Sequence, residues 1–448
     1  MELRTLITVL ARRRAIRRHE RWDRAALERH QARALAALRE HAMARSRFYQ
    51  RFHGGLASAP LQELPVLTKA TLMENFDELV VDPAVRLADV LTYLERGGER
   101  PYLDRYVVAA TSGSTGRRGV FLFDRDEWTT HIASYARAQE WAGIAAGLTH
   151  RVRMAVVSSR VPWHGSARVG ATVHSRFVPT LRLDATDPLP GNVDQLNAFE
   201  PDCLVGYASM LHVLAGEQRA GRLRIRPRAV MSASEVLTDD TIARAEAAWG
   251  SAPFDVYAAT ETADIASDCA RHRKHLYEDL VVVETVDEHH RPVPPGVAGA
   301  SVLVTVLFSR TQPLIRYEMS DRVALSGERC ECGIGFALLD RVEGRAEDTV
   351  DLPARAGGTV TVHPNVFHRA LELVSASAWQ VIAGRDAIRV LLERPDGVDG
   401  TALARTVQAE LARQGVADLP VTVETVDAIP RTALGKAPLV RRAINPSA

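Results

Sequence analysis

The sequence predicts an α/β fold. We expect a large N-terminal domain with mostly parallel sheets flanked by helices, and a small α+β C-terminal domain. Between residues 106 and 257, short apolar runs alternate with helix-like stretches, an order that is typical of parallel sheets. Residues 279–325 contain valine-rich runs separated by Pro/Gly turns and indicate a β-rich subdomain. Strand and helix patterns begin again near residue 346, so we expect domains at 1–345 and 346–448.

Composition narrows the class of protein. The chain has 448 residues, of which 46% are hydrophobic and 25% charged, as in a globular protein of two or more domains. The net charge of +1 gives no argument for a nucleic-acid or acidic membrane partner. No apolar run approaches the roughly 20 residues of a membrane span. The apolar piece near the N-terminus precedes its arginines, which is the reverse of a signal peptide. We therefore expect a cytoplasmic protein.

The individual elements follow from periodicity and capping residues. Residues 11–50 predict one or two helices, packed on the larger domain or lying on a membrane surface, and Thr68 is placed to cap a helix. The large domain has predicted strands at 106–110, 120–123, 152–159, 203–207, 228–235 and 254–257, with a helix at 127–142. Later strands are predicted at 281–283, 302–304, 314–317, 359–362, 379–383, 388–392 and 420–424, with helices at 365–373 and 401–414.

A loop rich in Ser, Thr and Gly joins the first two predicted strands at residues 111–119. Its glycines allow close approach of the backbone to a ligand, and its hydroxyl and amide groups can donate to phosphate oxygens. The candidate phosphate-binding residues are Ser112, Gly113, Ser114, Thr115 and Gly116. The loop lacks the lysine of a Walker A motif, and an ordinary surface turn is the alternative.

Lysine is scarce in this chain. Only Lys69, Lys274 and Lys436 occur among 56 basic residues. A compact ammonium group differs chemically from the planar guanidinium of arginine, so a lysine that is present draws attention. Lys436 lies in a turn between Pro430 and Pro438, where the alternative is a solvated side chain.

Five short motifs occur along the chain in a fixed order, at residues 111–116, 257–261, 316–321, 344–348 and 430–436. Together they resemble the adenylate-forming superfamily of acyl-CoA synthetases and adenylation domains. Within it, residues 64–69 and 339–345 and the short N-terminus resemble the phenylacetate–CoA ligase and coenzyme F390 synthetase branch. The resemblance extends over about the whole chain.

The resemblance implies ATP-dependent activation of a carboxylic acid as an acyl-adenylate, followed by transfer to coenzyme A. Because both reactants are anions, the protein has to supply positive charge and positioning. By resemblance, loop 111–119 holds the β- and γ-phosphates and Glu261 holds Mg²⁺. Lys436 would be carried by a mobile C-terminal lid to the reacting carboxylate and α-phosphate. Relatives outside this branch often have a lysine where Gly119 stands, so neutralisation of the phosphates would fall to Arg117, Arg118 or magnesium.

The remaining implied roles concern the nucleotide. Asp321 would accept both ribose hydroxyls, and Glu347 would form the hinge of the lid. The residues that would line the nucleotide site are Tyr257 and Thr260, with Ser234 and Glu235 beside adenine and Arg341 and Arg345 near ribose and phosphate. Asp321 as a turn aspartate and Glu261 as a helix cap are the structural alternatives.

Three of the four cysteines fall in two short polar segments, at residues 269–275 and 330–333. The Cys330-x-Cys332 spacing is tighter than the usual C-x₂₋₄-C of zinc sites. Some members of the branch that it resembles carry a structural zinc here. We expect zinc ligands at Cys269, His275, Cys330 and Cys332, with His272 as the substitute for His275. A closed Cys₃His shell would be structural, and unrelated reduced cysteines are the alternative.

The substrate is less defined by the sequence. Trp163, His164, Tyr207 and residues 263–266 stand where relatives place the acyl pocket, and their aromatic rings fit an aryl acid or a plain hydrophobic wall. The sequence contains no Gly-x-Ser-x-Gly motif, which excludes the simplest serine-hydrolase interpretation. The open alternatives are an amine, a carrier-protein thiol or a hydroxyl as acceptor, and a catalytically inactive nucleotide-binding relative. A homodimer also stays open.

Overall fold

The computed structural model describes residues 3–98, 100–111, 119–147, 150–185, 187, 189–345, 350–362, 365–371, 374, 376, 378–430 and 438–443. The helices are α1 Leu3–His19, α2 Arg24–Arg45, α3 Arg47–Phe52, α4 Lys69–Glu74, α5 Phe76–Leu79, α6 Leu87–Glu95, α7 Arg125–Trp141, α8 Gly165–Val173, α9 Leu189–Phe199, α10 Ala208–Arg219, α11 Asp239–Trp249, α12 Asn365–Leu371 and α13 Gly400–Arg413. None of these described helices combines the length and apolarity that crossing a membrane requires.

The strands form five sheets in the described part of the chain. They are β1 Val107–Ala110, β2 Val120–Phe123, β3 Met154–Ser158, β4 Thr180–Asp184, β5 Cys203–Gly206, β6 Ala229–Ala233, β7 Phe254–Ala259, β8 Ala263–Asp268, β9 Lys274–Leu276, β10 Val281–Val286, β11 Ser301–Val306, β12 Tyr317–Met319, β13 Asp321–Leu325, β14 Leu338–Arg345, β15 Val350–Pro353, β16 Thr359–Val362, β17 Ala378–Ala383, β18 Ile388–Glu393, β19 Val421–Val426 and β20 Val440–Arg442.

The largest sheet has nine strands in the order β13-β14-β9-β8-β7-β6-β5-β3-β4. Its strands from β4 to β7 pair in parallel, because helices connect them in sequence and return the chain to the same edge. The α/β expectation is therefore confirmed. The other half of the sheet is antiparallel, and β1 and β2 form a separate hairpin around the glycine-rich loop.

The predicted β-rich subdomain is divided between two sheets. Strands β10, β11 and β12 form a separate antiparallel sheet, whereas β13 joins the nine-stranded one. The strand predicted at 314–317 is wrong for its first three residues, since β12 begins only at Tyr317. Arg316 has φ +49° and its amide donates to Thr305 Oγ1, so the backbone turns there and cannot continue a strand.

The two predicted N-terminal helices are confirmed as α1 and α2. Both lie against the large domain, and α2 buries Leu27, Leu38 and Ala42. Thr68 caps α4 as expected, with Oγ1 accepting from the Thr71 amide at 3.1 Å.

The C-terminal residues build a second, separate hydrophobic core. A four-stranded sheet in the order β19-β18-β17-β20 packs on α12 and α13 around buried Phe367, Val381 and Val407. The domain boundary at 345/346 stays a prediction, because residues 346–349 lie outside the described residues.

Candidate functional site

The centre of the candidate site is the hairpin between β7 and β8. Its turn is closed by the Thr262 amide, which donates to the Ala259 carbonyl at 3.3 Å, and Ala263 has φ +68°. This turn holds Glu261 so that its carboxylate is only slightly exposed. The hydroxyl of Tyr317 donates to Glu261 Oε1 over 3.3 Å. A carboxylate in this position offers hard oxygen ligands of the kind that Mg²⁺ prefers.

The two ends of the glycine-rich loop are fixed close together. Thr111 and Gly119 exchange two hydrogen bonds, from the Thr111 amide to the Gly119 carbonyl and from the Gly119 amide to Thr111 Oγ1, both at 2.9 Å. The Ala110 amide donates to the Trp163 carbonyl, which ties the loop's base to the segment before α8. The predicted phosphate-binding residues 112–116 lie outside the described residues.

Helix α8 begins against the Thr260–Glu261 turn. A Cβ atom on Gly165 would lie 3.2 Å from Thr260 Oγ1, so the backbone at the start of α8 approaches Thr260 closely. This contact and the Ala110–Trp163 hydrogen bond place the base of the loop beside the turn that carries Glu261. The structure therefore brings these two predicted motifs together.

The segment predicted to lie beside adenine follows β6. Ser232 is fully buried and its hydroxyl has no hydrogen-bond partner in the described part of the chain, while Ser234 takes φ +70°. Glu235 Oε2 accepts from the Ser209 amide at 2.8 Å near the start of α10, which is a capping interaction. Tyr257, in the neighbouring strand, is largely buried. The adenine contact itself stays a prediction.

The predicted ribose and phosphate residues are neighbours across two strands. Asp321, at the start of β13, is directly opposite Arg345 of β14, and Ala324 is opposite Arg341. The side chains of Arg341 and Arg345 are outside the described part of the chain, as are all of Glu347 and Lys436. The shared role of Asp321 and Arg345 stays a prediction, with which this backbone register agrees.

The predicted acyl-pocket residues have mixed surroundings. His164 is buried with Nδ1 2.9 Å from Ser166 Oγ. The ring of Tyr207 is fully buried and its hydroxyl accepts from the Ser159 amide at 2.9 Å. Tyr207 therefore suits a hydrophobic wall better than a polar contact.

Sequence reasoning missed the importance of Asp264, which it named only as part of residues 263–266. This aspartate is fully buried in β8, and neither carboxylate oxygen has a hydrogen-bond partner among the described residues. Burial raises the pKa of Asp264 well above the ordinary value, and the Arg137 charge only partly opposes this. The available signal was a lone acid among Ala263, Ile265 and Ala266 in an otherwise apolar run.

A second site lies at the other end of β8. The ligand atoms of Cys269, His275, Cys330 and Cys332 all lie within 4.8 Å of one another. Cys269 Sγ is 3.8 Å from Cys330 Sγ, and Cys332 Sγ is 3.2 Å from His275 Nε2. A tetrahedral zinc with Zn–S bonds of about 2.3 Å separates its sulfurs by about 3.8 Å. The donor set and its spacing therefore fit zinc.

The histidine of this cluster is oriented by a second contact. His275 Nδ1 lies 3.0 Å from the Phe336 carbonyl, which can only accept, so Nδ1 carries the proton and Nε2 faces the sulfurs. His272, the substitute ligand of the sequence analysis, instead stacks on Phe254 with ring centroids 4.4 Å apart. Among the described residues, the geometry selects His275.

Comparison with known proteins shows what this chain is similar to. No family model matches the chain. Protein CapK of Staphylococcus aureus is 23% identical over 391 residues, which cover 84% of this chain and 79% of that protein. Phenylacetate–coenzyme A ligases of Thermus thermophilus and Aromatoleum evansii are 25% and 26% identical over 260 and 256 residues. The matched region spans 55% and 54% of those two ligases.

Solved structures of acyl-CoA ligases have a similar fold to this chain. A 2-hydroxyisobutyryl-CoA ligase in complex with R3-HIB-AMP has a TM-score of 0.74 at 19% identity, covering 95% of this chain and 91% of that one. An anthranilate CoA ligase in complex with anthranoyl-AMP has a TM-score of 0.51 at 18% identity, with 74% and 65% covered.

The fold is therefore the one seen in solved acyl-CoA ligases. In sequence, the chain is similar to phenylacetate–coenzyme A ligases over about half the length of those proteins. The resemblance drawn from its sequence motifs is thereby confirmed.

Proposed function

We propose that this protein activates a carboxylic acid, aryl in the first instance, as an acyl-adenylate and transfers the acyl group to coenzyme A. The observation that carries the proposal is the meeting of three motifs around Glu261. The base of the glycine-rich loop reaches the Thr260–Glu261 turn through the segment before α8, and Tyr317, four residues before Asp321, donates to the Glu261 carboxylate.

The roles that we propose for individual residues follow from their charge and position. Glu261 would hold Mg²⁺ on the phosphates, with Tyr317 fixing the orientation of its carboxylate. Asp321 would bind the ribose hydroxyls, and Arg345, opposite it in the sheet, would bind ribose or phosphate with Arg341 nearby. Magnesium, when bound, would neutralise part of the charge on the triphosphate. Lys436 would stabilise the negative charge that develops on the carboxylate and the α-phosphate.

The decisive measurement is ATP–pyrophosphate exchange with a panel of carboxylic acids, followed by CoA-dependent release of AMP. We expect exchange only when an acid is present, and thioester only when CoA is added. Exchange without CoA-dependent turnover would direct the search to an amine or a carrier-protein thiol. Exchange that needs no acid would favour AMP transfer to a hydroxyl. ATP binding without exchange for any acid would indicate an inactive relative.

Lys436→Ala tests the catalytic assignment. Loss of a group that stabilises developing charge costs roughly 10²–10³-fold, so exchange should fall by about that factor while ATP binding persists. Lys69→Ala is the matched control, because Lys69 lies at the start of α4 and has no assigned role. Equal exchange rates in Lys436→Ala and in the control would contradict the assignment.

We also propose that Cys269, His275, Cys330 and Cys332 hold one structural Zn²⁺. Four protein ligands leave no open position, so the metal would hold the end of β8 and β9 to the loop between β13 and β14 without entering the chemistry. The orientation of His275 by the Phe336 carbonyl is the second contact that zinc-bound histidines usually make.

A further inference from the structure

We propose that Asp264 selects the substrate, and that the preferred acid carries a hydrogen-bond donor, either an amino or a hydroxyl group, on its acyl portion. This inference rests on the proposed function, because it assigns a contact within that function's acyl site. The donor would bind the two carboxylate oxygens of Asp264, which no described protein group binds.

A buried carboxyl group without a partner needs an explanation. Asp264 has no exposed surface, and burial of a polar group without hydrogen bonds is destabilising. Asp268, four residues further along the same strand, shows the usual solution, since it accepts from Lys274 Nζ at 3.1 Å and from the Asp255 amide at 2.8 Å. Because Asp268 has protein partners and Asp264 has none among the described residues, we infer that the partner of Asp264 is a bound ligand.

Asp264 is close to the reacting centre in the chain. It follows Glu261 by three residues, and three residues of chain span at most about 10 Å. The buried, positive-φ residue Ala263 lies between them and begins β8. An acid whose carboxylate reacts beside Glu261 could therefore reach Asp264 with a donor only if the acid is small.

The side chains of α7 near Asp264 are aromatic and polar. The Asp264 amide lies 3.5 Å from Ser134 Oγ of α7, and the Asp264 charge raises the pKa of Tyr135 beyond what its burial alone does. His131 and Tyr135 stand on the same face of α7 as Ser134, with their ring centroids 5.5 Å apart. These rings suit an aryl acid.

His131, which stands on this face of α7, carries no positive charge. His131 Nδ1 is buried and no described residue forms a hydrogen bond with it, and burial lowers the pKa of His131 to about 3, so the imidazole is neutral at pH 7. Arg137, six residues after His131 on α7, is bound to Asp279 through both of its terminal nitrogens. Arg137 therefore acts on Asp264 only through its charge, no described protein group donates a hydrogen bond to the Asp264 carboxyl oxygens, and a donor from the ligand would fill that role.

The experiment uses matched acids that differ in one substituent. Benzoate and phenylacetate are compared with their hydroxy, amino and aminomethyl derivatives in ATP–pyrophosphate exchange, with wild-type protein and Asp264→Asn. We expect a donor-bearing acid to exceed its unsubstituted parent by at least tenfold in the wild type. That preference should fall by about 10- to 100-fold in Asp264→Asn. If the wild type prefers the aminomethyl compounds and Asp264→Asn does not, the donor on the preferred acid is an ammonium group. If the wild type prefers the hydroxy compounds and Asp264→Asn keeps part of that preference, the donor is a neutral hydroxyl group.

Asp268→Asn is the control, because it changes a partnered acid in the same strand. It should lower the unfolding temperature without altering the ranking of the acids. Asp264→Leu should leave the unfolding temperature of the free protein unchanged or raised, since an apolar side chain replaces an unpaired buried acid. A fall as large as that of Asp268→Asn would overturn the inference by giving Asp264 a structural role.

The outcomes separate this inference from the proposed function. If the wild type exchanges only with unsubstituted acids, and Asp264→Asn does so at the same rate, the inference is overturned but the adenylation proposal stands. Absence of exchange with every acid would overturn the adenylation proposal. In that case the inference would survive only if a donor-bearing acid raises the unfolding temperature of the wild type but not of Asp264→Asn.

Discussion

At the scale of single residues, a buried ion pair holds the N-terminal helix to the domain. Arg137 of α7 is almost fully buried and donates to both oxygens of Asp279, at 2.8 and 2.7 Å, and to the Ile16 carbonyl of α1 at 3.0 Å. His19 Nδ1 lies 2.8 Å from the same carboxylate. Because each partner alone would be a buried charge, removal of either one should be more harmful than removal of a surface charge.

We expect Arg137→Met to lower the free energy of unfolding by about 3–5 kcal/mol, the usual effect of breaking a buried pair. Chemical denaturation measures this change. The control is Arg291→Met, since Arg291 pairs with Asp287 at an exposed position where such pairs contribute little. Equal losses in the two variants would contradict this role for Arg137.

The same pair also predicts a pH dependence. Burial opposes ionisation of Asp279, but the Arg137 charge and hydrogen bonds outweigh it and hold the pKa at about 2. A carboxyl group with a lowered pKa stabilises the fold above its unfolded pKa, near 3.9, and that contribution disappears as the pH falls through about 2. Acid titration of stability should therefore lose this contribution between about pH 4 and pH 2 in the wild type, but not in Asp279→Asn.

At the scale of elements, the cysteine–histidine cluster joins several parts of the large domain. Strand β14 pairs with β9 through Leu338 opposite His275. Beyond Cys332, the Gly335 amide donates to the Glu20 carbonyl. A Cβ atom on Gly335 would lie 2.4 Å from the Trp22 carbonyl oxygen, so this glycine permits close contact with the turn between α1 and α2. The cluster is thus connected to the N-terminal helices.

Purified protein should contain about one equivalent of zinc, and Cys332→Ser should lose the metal and unfold at a lower temperature. The turn between α1 and α2 should then become more sensitive to protease, because its contact around Gly335 loosens. Cys203→Ala is the control, since Cys203 is a buried cysteine of β5 outside the cluster. Less than about half an equivalent in the wild type would contradict a closed zinc shell.

Much of this level of structure could be predicted from the sequence. Strands such as β5 and β18 and helices such as α7 follow from local apolar patterns, which depend on neighbours in the chain. The pairing of β8 with β9 and β14 depends on contacts between distant residues, and β12 begins late because of the positive φ of Arg316. The sequence also could not show that the Asp264 carboxylate lacks a described hydrogen-bond partner, because such partners are set by the packing of the folded core.

At the scale of the whole molecule, the described residues form separate cores before and after residues 346–349. One set of cores lies between residues 9 and 339, and another between 350 and 440. Five ordered motifs were enough to predict the superfamily, but not the relative position of Lys436 and Glu261. Motifs identify parts of a site, whereas a distance between them requires coordinates for both.

A chain that ends at Arg345 should still fold and bind ATP, because Glu261, Asp321 and the glycine-rich loop precede its end. Exchange should fall by roughly 10²–10³-fold with the loss of Lys436. Calorimetric ATP binding and exchange measured on the same preparation test this division. Full exchange by the shortened chain would contradict a catalytic lid.

The attachment of α1 has a consequence during synthesis. His19 contacts Asp279, 260 residues later in the chain, and the turn after α1 contacts Gly335. At translation rates of about 5–20 residues per second, the first helix would leave the ribosome roughly 13 to 50 s before its partners exist. During that interval Val9 and Ile16, which are buried in the finished protein, would be exposed on the nascent chain, where a chaperone could bind them.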